Sequence, residues 1–274
     1  MFQLHPDNPK RFLFRGKPAV LVTSGEHYGA VLNLDFDYRS YLEELAEHGL
    51  NHTRVFSGVY RELTGSFGIT NNTLSPAAGR WACPWARTDV VGAADGGSKF
   101  DLRSYDPGYF ERLKDFLVVA GRLGVVAEYN LFCPFYEDAL WDWCPMNARN
   151  NVNGVGGCSR NRVYTLEEPE LTEVQESLVR RIVAELNGFD NIYYEVCNEP
   201  YAGVVTPSWQ DRIAAVITDT EAGLPNRHLI SFNVANGGTR VEPNPLVGLY
   251  NFHYSVLSEV VALNADLPIA IGEN

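Results

Sequence analysis

Asn198-Glu199-Pro200 closes the run Asn191-Ile192-Tyr193-Tyr194-Glu195-Val196-Cys197. The run is apolar and aromatic, as suits a strand covered on both faces. Pro200 has no N–H to give a ladder, so the strand stops there and leaves the Glu199 carboxylate at its end. A second carboxylate, Glu273, ends the run Pro268-Ile269-Ala270-Ile271-Gly272. A pair of carboxyls can serve as proton donor and nucleophile to one bond. Other polar residues fall at comparable places: Glu26, His27 and Tyr28; Arg54; Glu128 and Asn130; Asn233 and Asn236; His253 and Tyr254. Any one of them could be an ordinary polar residue at a strand mouth. Together they predict a carboxylate-rich cavity, which is costly unless partners or a ligand satisfy it.

The elements that would position these residues alternate strand and helix. Pro18 to Thr23 reads as the first strand, preceded by a short hairpin, Arg11 to Phe14 with the turn Arg15-Gly16-Lys17, that would cap a barrel floor. Asp37 caps a helix striped by Tyr38, Tyr41, Leu42 and Leu45 and stopped by Gly49. Asn51 to Phe56 is the second strand. Asp106-Pro107 opens a helix carrying Phe110, Leu113, Leu117 and Ala120, and Val125 to Phe132 is the third strand. Thr172 and Gln175 form a capping-box pattern for a helix through Leu186, before the strand that ends at Glu199. Ser208 and Asp211 open a helix from Trp209 to Ala222. His228 to Val234, Leu246 to Tyr254 and Pro268 to Gly272 are the fifth, sixth and seventh strands, with a short helix at Ser258 to Asn264. Serial β/α units imply a parallel sheet. Seven of them predict an α/β fold of the (β/α)₈ TIM-barrel type in one domain, 1–274, lacking the eighth strand and helix. An open barrel would leave two long strand edges, so the expectation is that the natural chain continues.

Two connections, Ser57 to Tyr105 and Cys133 to Leu171, are too long for simple turns and would overlie the carboxyl ends of the strands. They hold Trp81, Trp85, Phe135, Tyr136, Trp141 and Trp143. Aromatic faces above a polar cleft suit sugar rings, and one or two of these residues, Trp141 among them, are expected to face ligand. The rest would pin the loops down as satellite cores.

Composition narrows the partners. The 274 residues are 45% hydrophobic and 20% charged, with a formal net charge of -12. That excess of acid argues against nucleic acid and against an anionic membrane surface. No apolar run is long enough to span a bilayer. Met1 to Asp7 show no basic region followed by an apolar core, so the expectation is a cytoplasmic chain, or a secreted one if its N-terminus was trimmed. The five cysteines have no Cys-x-x-Cys spacing, which signals neither zinc nor dithiol chemistry. Cys133, Cys144 and Cys158 could pair in an oxidising compartment or stay free in a reducing one. No metal or cofactor is expected, and the oligomeric state is not readable.

Asn198-Glu199-Pro200 at the end of a fourth strand resembles the acid/base motif of retaining glycoside hydrolases of clan A, the group that includes the family 5 cellulases. Gly49-Leu50-Asn51-His52-Thr53-Arg54 resembles the second-strand segment that supplies an active-site arginine. Asn251-Phe252-His253-Tyr254 resembles the sixth-strand His/Tyr region, and Pro268 to Glu273 the seventh strand ending in the nucleophile. The resemblance implies a (β/α)₈ barrel that hydrolyses a β-linked oligo- or polysaccharide by double displacement. Such a mechanism sets two carboxyls about 5 Å apart, against roughly 6.5–9.5 Å for inversion. Glu199 would be the acid/base, its pKa raised by burial and a neighbouring carboxylate. Glu273 would be the nucleophile, kept ionised by Arg54. Asn198 would bind the sugar 2-hydroxyl, His253 and Tyr254 would orient the nucleophile or the sugar, and His27 and Asn130 would line the substrate site. Where many family 5 members carry a histidine near the end of strand three, this chain has Glu128-Tyr129-Asn130-Leu131, which suggests a divergent subgroup. The nucleophile is either Glu273 or a residue just beyond Asn274, since a glutamate at the next position would share Glu273's strand face.

Other barrel chemistries lack their marks. No lysine falls at a strand end, no His-x-His occurs, Gly154-Val155-Gly156-Gly157 neither follows a strand nor opens a helix, and no Gly-x-Ser-x-Gly exists. The remaining alternative is a catalytically silent carbohydrate-binding barrel.

Overall fold

The computed structural model describes residues 1–23, 27–201, 203–267 and 270–273, without the side chain of Glu273. Glu26, Pro268, Ile269 and Asn274 lie outside the described residues. In chain order the elements are β1 (Phe2–His5), β2 (Asn8–Phe14), β3 (Lys17–Ala19), α1 (Tyr38–Glu47), β4 (His52–Phe56), β5 (Trp85–Val91), β6 (Ser98–Tyr105), α2 (Pro107–Arg122), β7 (Val126–Phe132), α3 (Asp138–Trp143), α4 (Pro169–Leu186), β8 (Ile192–Cys197), α5 (Pro207–Ala222), β9 (Ile230–Val234), β10 (Leu249–Phe252), α6 (Leu257–Leu263) and β11 (Ala270–Glu273).

The central sheet has six parallel strands in the order β11-β10-β9-β8-β7-β4. These are the second to seventh expected strands, joined by crossover connections into the arc of a (β/α)₈ barrel. Helices cover the outside. Asp37 caps α1 by accepting from Arg39 N and Ser40 N, and Asp106 caps α2 through Gly108 N at 2.8 Å. Leu42 and Leu45 of α1 and Leu113, Phe116 and Leu117 of α2 are buried in the core. Among the described residues, no helix is long and apolar enough to cross a membrane.

Three expectations change. The first strand does not join the sheet. Lys17–Ala19 instead pairs antiparallel with β2, in a three-stranded floor sheet with β1. The chain from 20 to 23 then runs beside the start of β4, held by the Asn51 side chain to Val22 N and Val20 O, both at 2.8 Å. Val20 and Val22 stay exposed, so the burial that would drive strand formation is missing there. Second, α4 starts at Pro169, three residues before the expected cap. Thr172 bonds back to Glu168 O and Gln175 reaches Val163 O, so neither side chain caps. Third, α5 is capped by Thr206, which accepts from Trp209 N, with Pro207 in the first turn; Ser208 and Asp211 lie inside it.

The long connections are built structures. The first contains the β5–β6 hairpin. The second is pinned by Asn151, whose amide donates to Pro145 O, Asn147 O and Val155 O at 3.1, 2.9 and 3.0 Å. Gly156 fits there because its φ is +82° and a Cβ would lie 1.8 Å from Met146 O. Gly156→Ala should cost about 3 kcal/mol, from backbone strain plus overlap with a fixed carbonyl, read as a lowered midpoint in denaturant unfolding. All five cysteines are free thiols.

Candidate active site

Strand alternation puts one polar layer inside the arc. Arg54 pairs in register with Glu128, Glu128 with Tyr193, and Asn130 with Glu195; on the far side Asn233 pairs with Asn251. All are buried. Arg54 Nε donates to Glu128 Oε1 at 2.6 Å, and Nη2 donates to Glu195 Oε1 and Asn198 Oδ1, both at 2.9 Å. Tyr193 OH donates to Glu128 Oε2 at 2.6 Å. Burial pushes the Glu195 carboxyl well up, the neighbouring Glu128 adds to it, and Arg54 only partly offsets them. Burial acts the same way on Glu128, but Arg54, His52 and the Tyr193 hydroxyl outweigh it and hold Glu128 low. One guanidinium thus faces two carboxyls whose pKa values are driven in opposite directions.

Above this layer the chain turns sharply. Asn198 N still donates to Phe132 O at 2.9 Å, extending β8 by one residue. Glu199 then takes φ +40°, a left-handed conformation unusual for a non-glycine residue and doubly so before proline. Strain of this kind collects at functional sites. The turn aims the Glu199 carboxylate into a cavity of about 980 Å³, at the top of the size range of small-molecule sites. His27, Tyr60, Tyr136, Asn198, His253 and Tyr254 share its wall.

The Glu199 carboxylate is held from two sides. His253 Nδ1 lies 3.1 Å from Oε1 and Tyr136 OH donates to Oε2 at 3.2 Å. Asn233 and Asn251 point amide N–H groups at His253 Nε2, at 2.5 and 3.3 Å. An amide nitrogen can only donate, so Nε2 accepts and Nδ1 carries the hydrogen that faces Glu199. The His253 contact lowers the Glu199 pKa; burial opposes it, and Asn236 and Tyr136 add to the lowering. The expected upward shift is therefore reversed, because donors surround a carboxylate that still keeps 16% of its side chain exposed.

The other expected residues sort by height in the barrel. Asn198 is oriented by Arg54 at Oδ1, which turns its Nδ2 toward Tyr136 OH at 3.2 Å and the cavity. His27 lines the wall between Phe36 and Tyr41, with its pKa lowered by burial. Tyr254 is 78% exposed at the rim. Arg54, Asn130 and Trp141 lie outside the cavity wall, the last two against expectation. Arg54 is 1% exposed and engaged below the cavity. Asn130 is also buried and donates to Glu128 Oε1 at 2.9 Å. Trp141 packs under Phe135, its indole N–H on Cys158 O at 2.9 Å, and serves as loop core. Glu273 follows Gly272 on β11 with its backbone in register with Phe252, one residue before His253; its side chain lies outside the described residues.

Tyr193 and Glu195 carried no functional expectation from the sequence, and Tyr136 was one of six loop aromatics with nothing to single it out. Counting by two from the strand end places Tyr193 and Glu195 on one face with Cys197, a signal that was available. Nothing in the sequence marked which loop aromatic would reach Glu199.

No protein-family model and no curated protein matches the sequence. Solved structures do. A candidate glycoside hydrolase from Bacteroides vulgatus superposes with TM-score 0.68 at 17% identity, covering 99% of this chain and 46% of that one. A glycoside hydrolase family 5 mannosidase from Rhizomucor miehei gives 0.57 at 14% identity, covering 92% and 61%. An endo-glycoceramidase II from Rhodococcus sp., solved as a lactosyl-enzyme intermediate, gives 0.56 at 13%, covering 92% and 65%. The fold is thus that of family 5 glycoside hydrolase barrels at low identity, and the chain spans about half to two thirds of the length of these structures.

Proposed function

We propose that residues 1–274 form the catalytic barrel domain of a retaining glycosidase acting on a β-linked saccharide. The observation that carries this is the Glu199 carboxylate at the end of β8, turned by a left-handed φ into an aromatic-walled cavity and gripped by His253 and Tyr136. In this reading Glu199 protonates the leaving oxygen and later deprotonates water. Glu273, three ladder steps away on the same arc, attacks the anomeric carbon. The sugar 2-hydroxyl takes the place of Cys133 Sγ, 3.7 Å away, as acceptor of one Asn198 amide hydrogen. A glycosyl-enzyme intermediate in a structure of like fold supports the double displacement. Release of nitrophenol from a panel of 4-nitrophenyl β-glycosides tests the reading; failure on every sugar, with β-linked oligosaccharides also left intact, overturns it.

The resting state has a consequence for pH. A general acid must be protonated, and the His253 contact lowers the pH at which Glu199 loses its proton. A bound sugar strips water from the carboxylate and raises it again. The basic limb of kcat should therefore lie at higher pH than that of kcat/KM. His253→Ala removes the main lowering influence, so the basic limb of kcat/KM should move upward; a downward or absent shift would contradict it.

A further inference from the structure

Three consecutive residues after β4 have no part in this chemistry. Tyr60 and Glu62 line the cavity. Arg61, between them, has its guanidinium 4.2 Å from the Trp81 ring centroid and 4.4 Å from that of Trp143. It is buried, and its Nε and Nη2 have no hydrogen-bond acceptor among the described residues, so the two rings hold it. Trp81 belongs to the first long connection and Trp143 to the second. The sandwich ties the loops together behind the wall and fixes the neighbours of Arg61 in place.

Glu62 is 7% exposed, and that surface belongs to the cavity. Its Oε1 accepts from Tyr60 OH at 3.0 Å and its Oε2 from the Asn72 amide. A carboxylate offers about four acceptor positions, so each oxygen retains one. Two free acceptors on one rigid carboxylate match two adjacent hydroxyls of a sugar ring. Thr70 and Asn71 line the same wall. Phe67 lines it too, is 55% exposed, and meets Tyr136 edge-on at 5.7 Å. Between Glu62 and Glu199 stand Tyr60 and Tyr136, their ring centroids 5.9 Å apart.

We infer that Glu62, Thr70, Asn71 and Phe67 form a distal saccharide subsite, in which Glu62 accepts two neighbouring hydroxyls of a sugar ring next to the one cleaved and Phe67 offers that ring an apolar face. The inference rests on the saccharide reading of the cavity. The test compares kcat/KM for a 4-nitrophenyl β-monoglycoside that the enzyme cleaves with that for the matching β-mannobioside or β-cellobioside. The wild type should prefer the disaccharide. Glu62→Gln keeps the side chain's size but replaces one acceptor by an N–H donor. It should reduce that preference about tenfold, through KM, with the loss on the disaccharide exceeding any loss on the monoglycoside. Glu62→Asp, which withdraws both oxygens, should act in the same direction and serves if the glutamine variant does not fold. Absence of a wild-type preference, or equal losses on both substrates, overturns the subsite while the glycosidase reading stands. If no substrate is cleaved, the glycosidase reading falls. Calorimetric titration with mannobiose and cellobiose then decides the subsite alone: weaker binding by Glu62→Gln supports it, and unchanged or absent binding overturns it.

Discussion

Glu199→Gln should lower kcat/KM about a thousandfold on a β-glycoside with a poor leaving group, because protonation of that oxygen is lost. The loss should shrink on a 2,4-dinitrophenyl glycoside, whose leaving group departs without help. Turnover of that substrate should instead stall at the second step, where Glu199 activates water. Azide should restore turnover in Glu199→Ala, where the space vacated admits a small anion that needs no base. The two leaving groups separate a proton donor from a residue that merely shapes the pocket, since a shape defect would slow both alike. The geometry requires the distinction: His253 and Tyr136 hold Glu199 firmly, so its removal also disturbs their hydrogen bonds.

Glu128→Gln should destabilise the fold by about 3–5 kcal/mol, whereas Glu195→Gln should cost less than about 1 kcal/mol, measured by denaturant unfolding at neutral pH. Both residues are buried against the same guanidinium, at 2.6 and 2.9 Å. Glu128 is the ionised partner, and its loss leaves Arg54 facing a neutral acid in a dry interior. The upward shift of Glu195 favours its neutral form, which an amide replaces with little change of charge. The pH dependence follows with opposite signs. The lowered Glu128 contributes stability above the usual carboxylate range, lost as pH falls through its folded value. The raised Glu195 contributes stability at acid pH, lost as pH rises through its folded value. Glu195→Gln should therefore flatten the decline of stability toward alkaline pH. Equal costs for the two variants would contradict this division of charge.

The sheet was legible in the sequence because six strands are bounded by caps, glycines and Pro200, and their order is the simple serial one. The first strand misled because Pro18 to Thr23 has strand-like residues but an alternative partner in β2, and pairing choices are not written in local propensity. At the site, Asn198, Glu199 and His253 were readable as strand-end residues. Asn130 was placed too high, because a strand pattern gives the face of a side chain and not its depth in the barrel. Trp141 and Tyr136 show the same limit for loops. Both are aromatic and neighbouring in sequence, yet one is loop core and the other holds Glu199, a difference set by tertiary packing alone.

The stereochemistry of the first-formed sugar tests the central proposal most directly. Proton NMR during hydrolysis of an activated β-glycoside should show the β-hemiacetal appearing first, with the α-anomer growing in only by mutarotation. Initial appearance of the α-anomer would mean a single displacement, and would contradict the pairing of Glu199 with a nucleophile on β11.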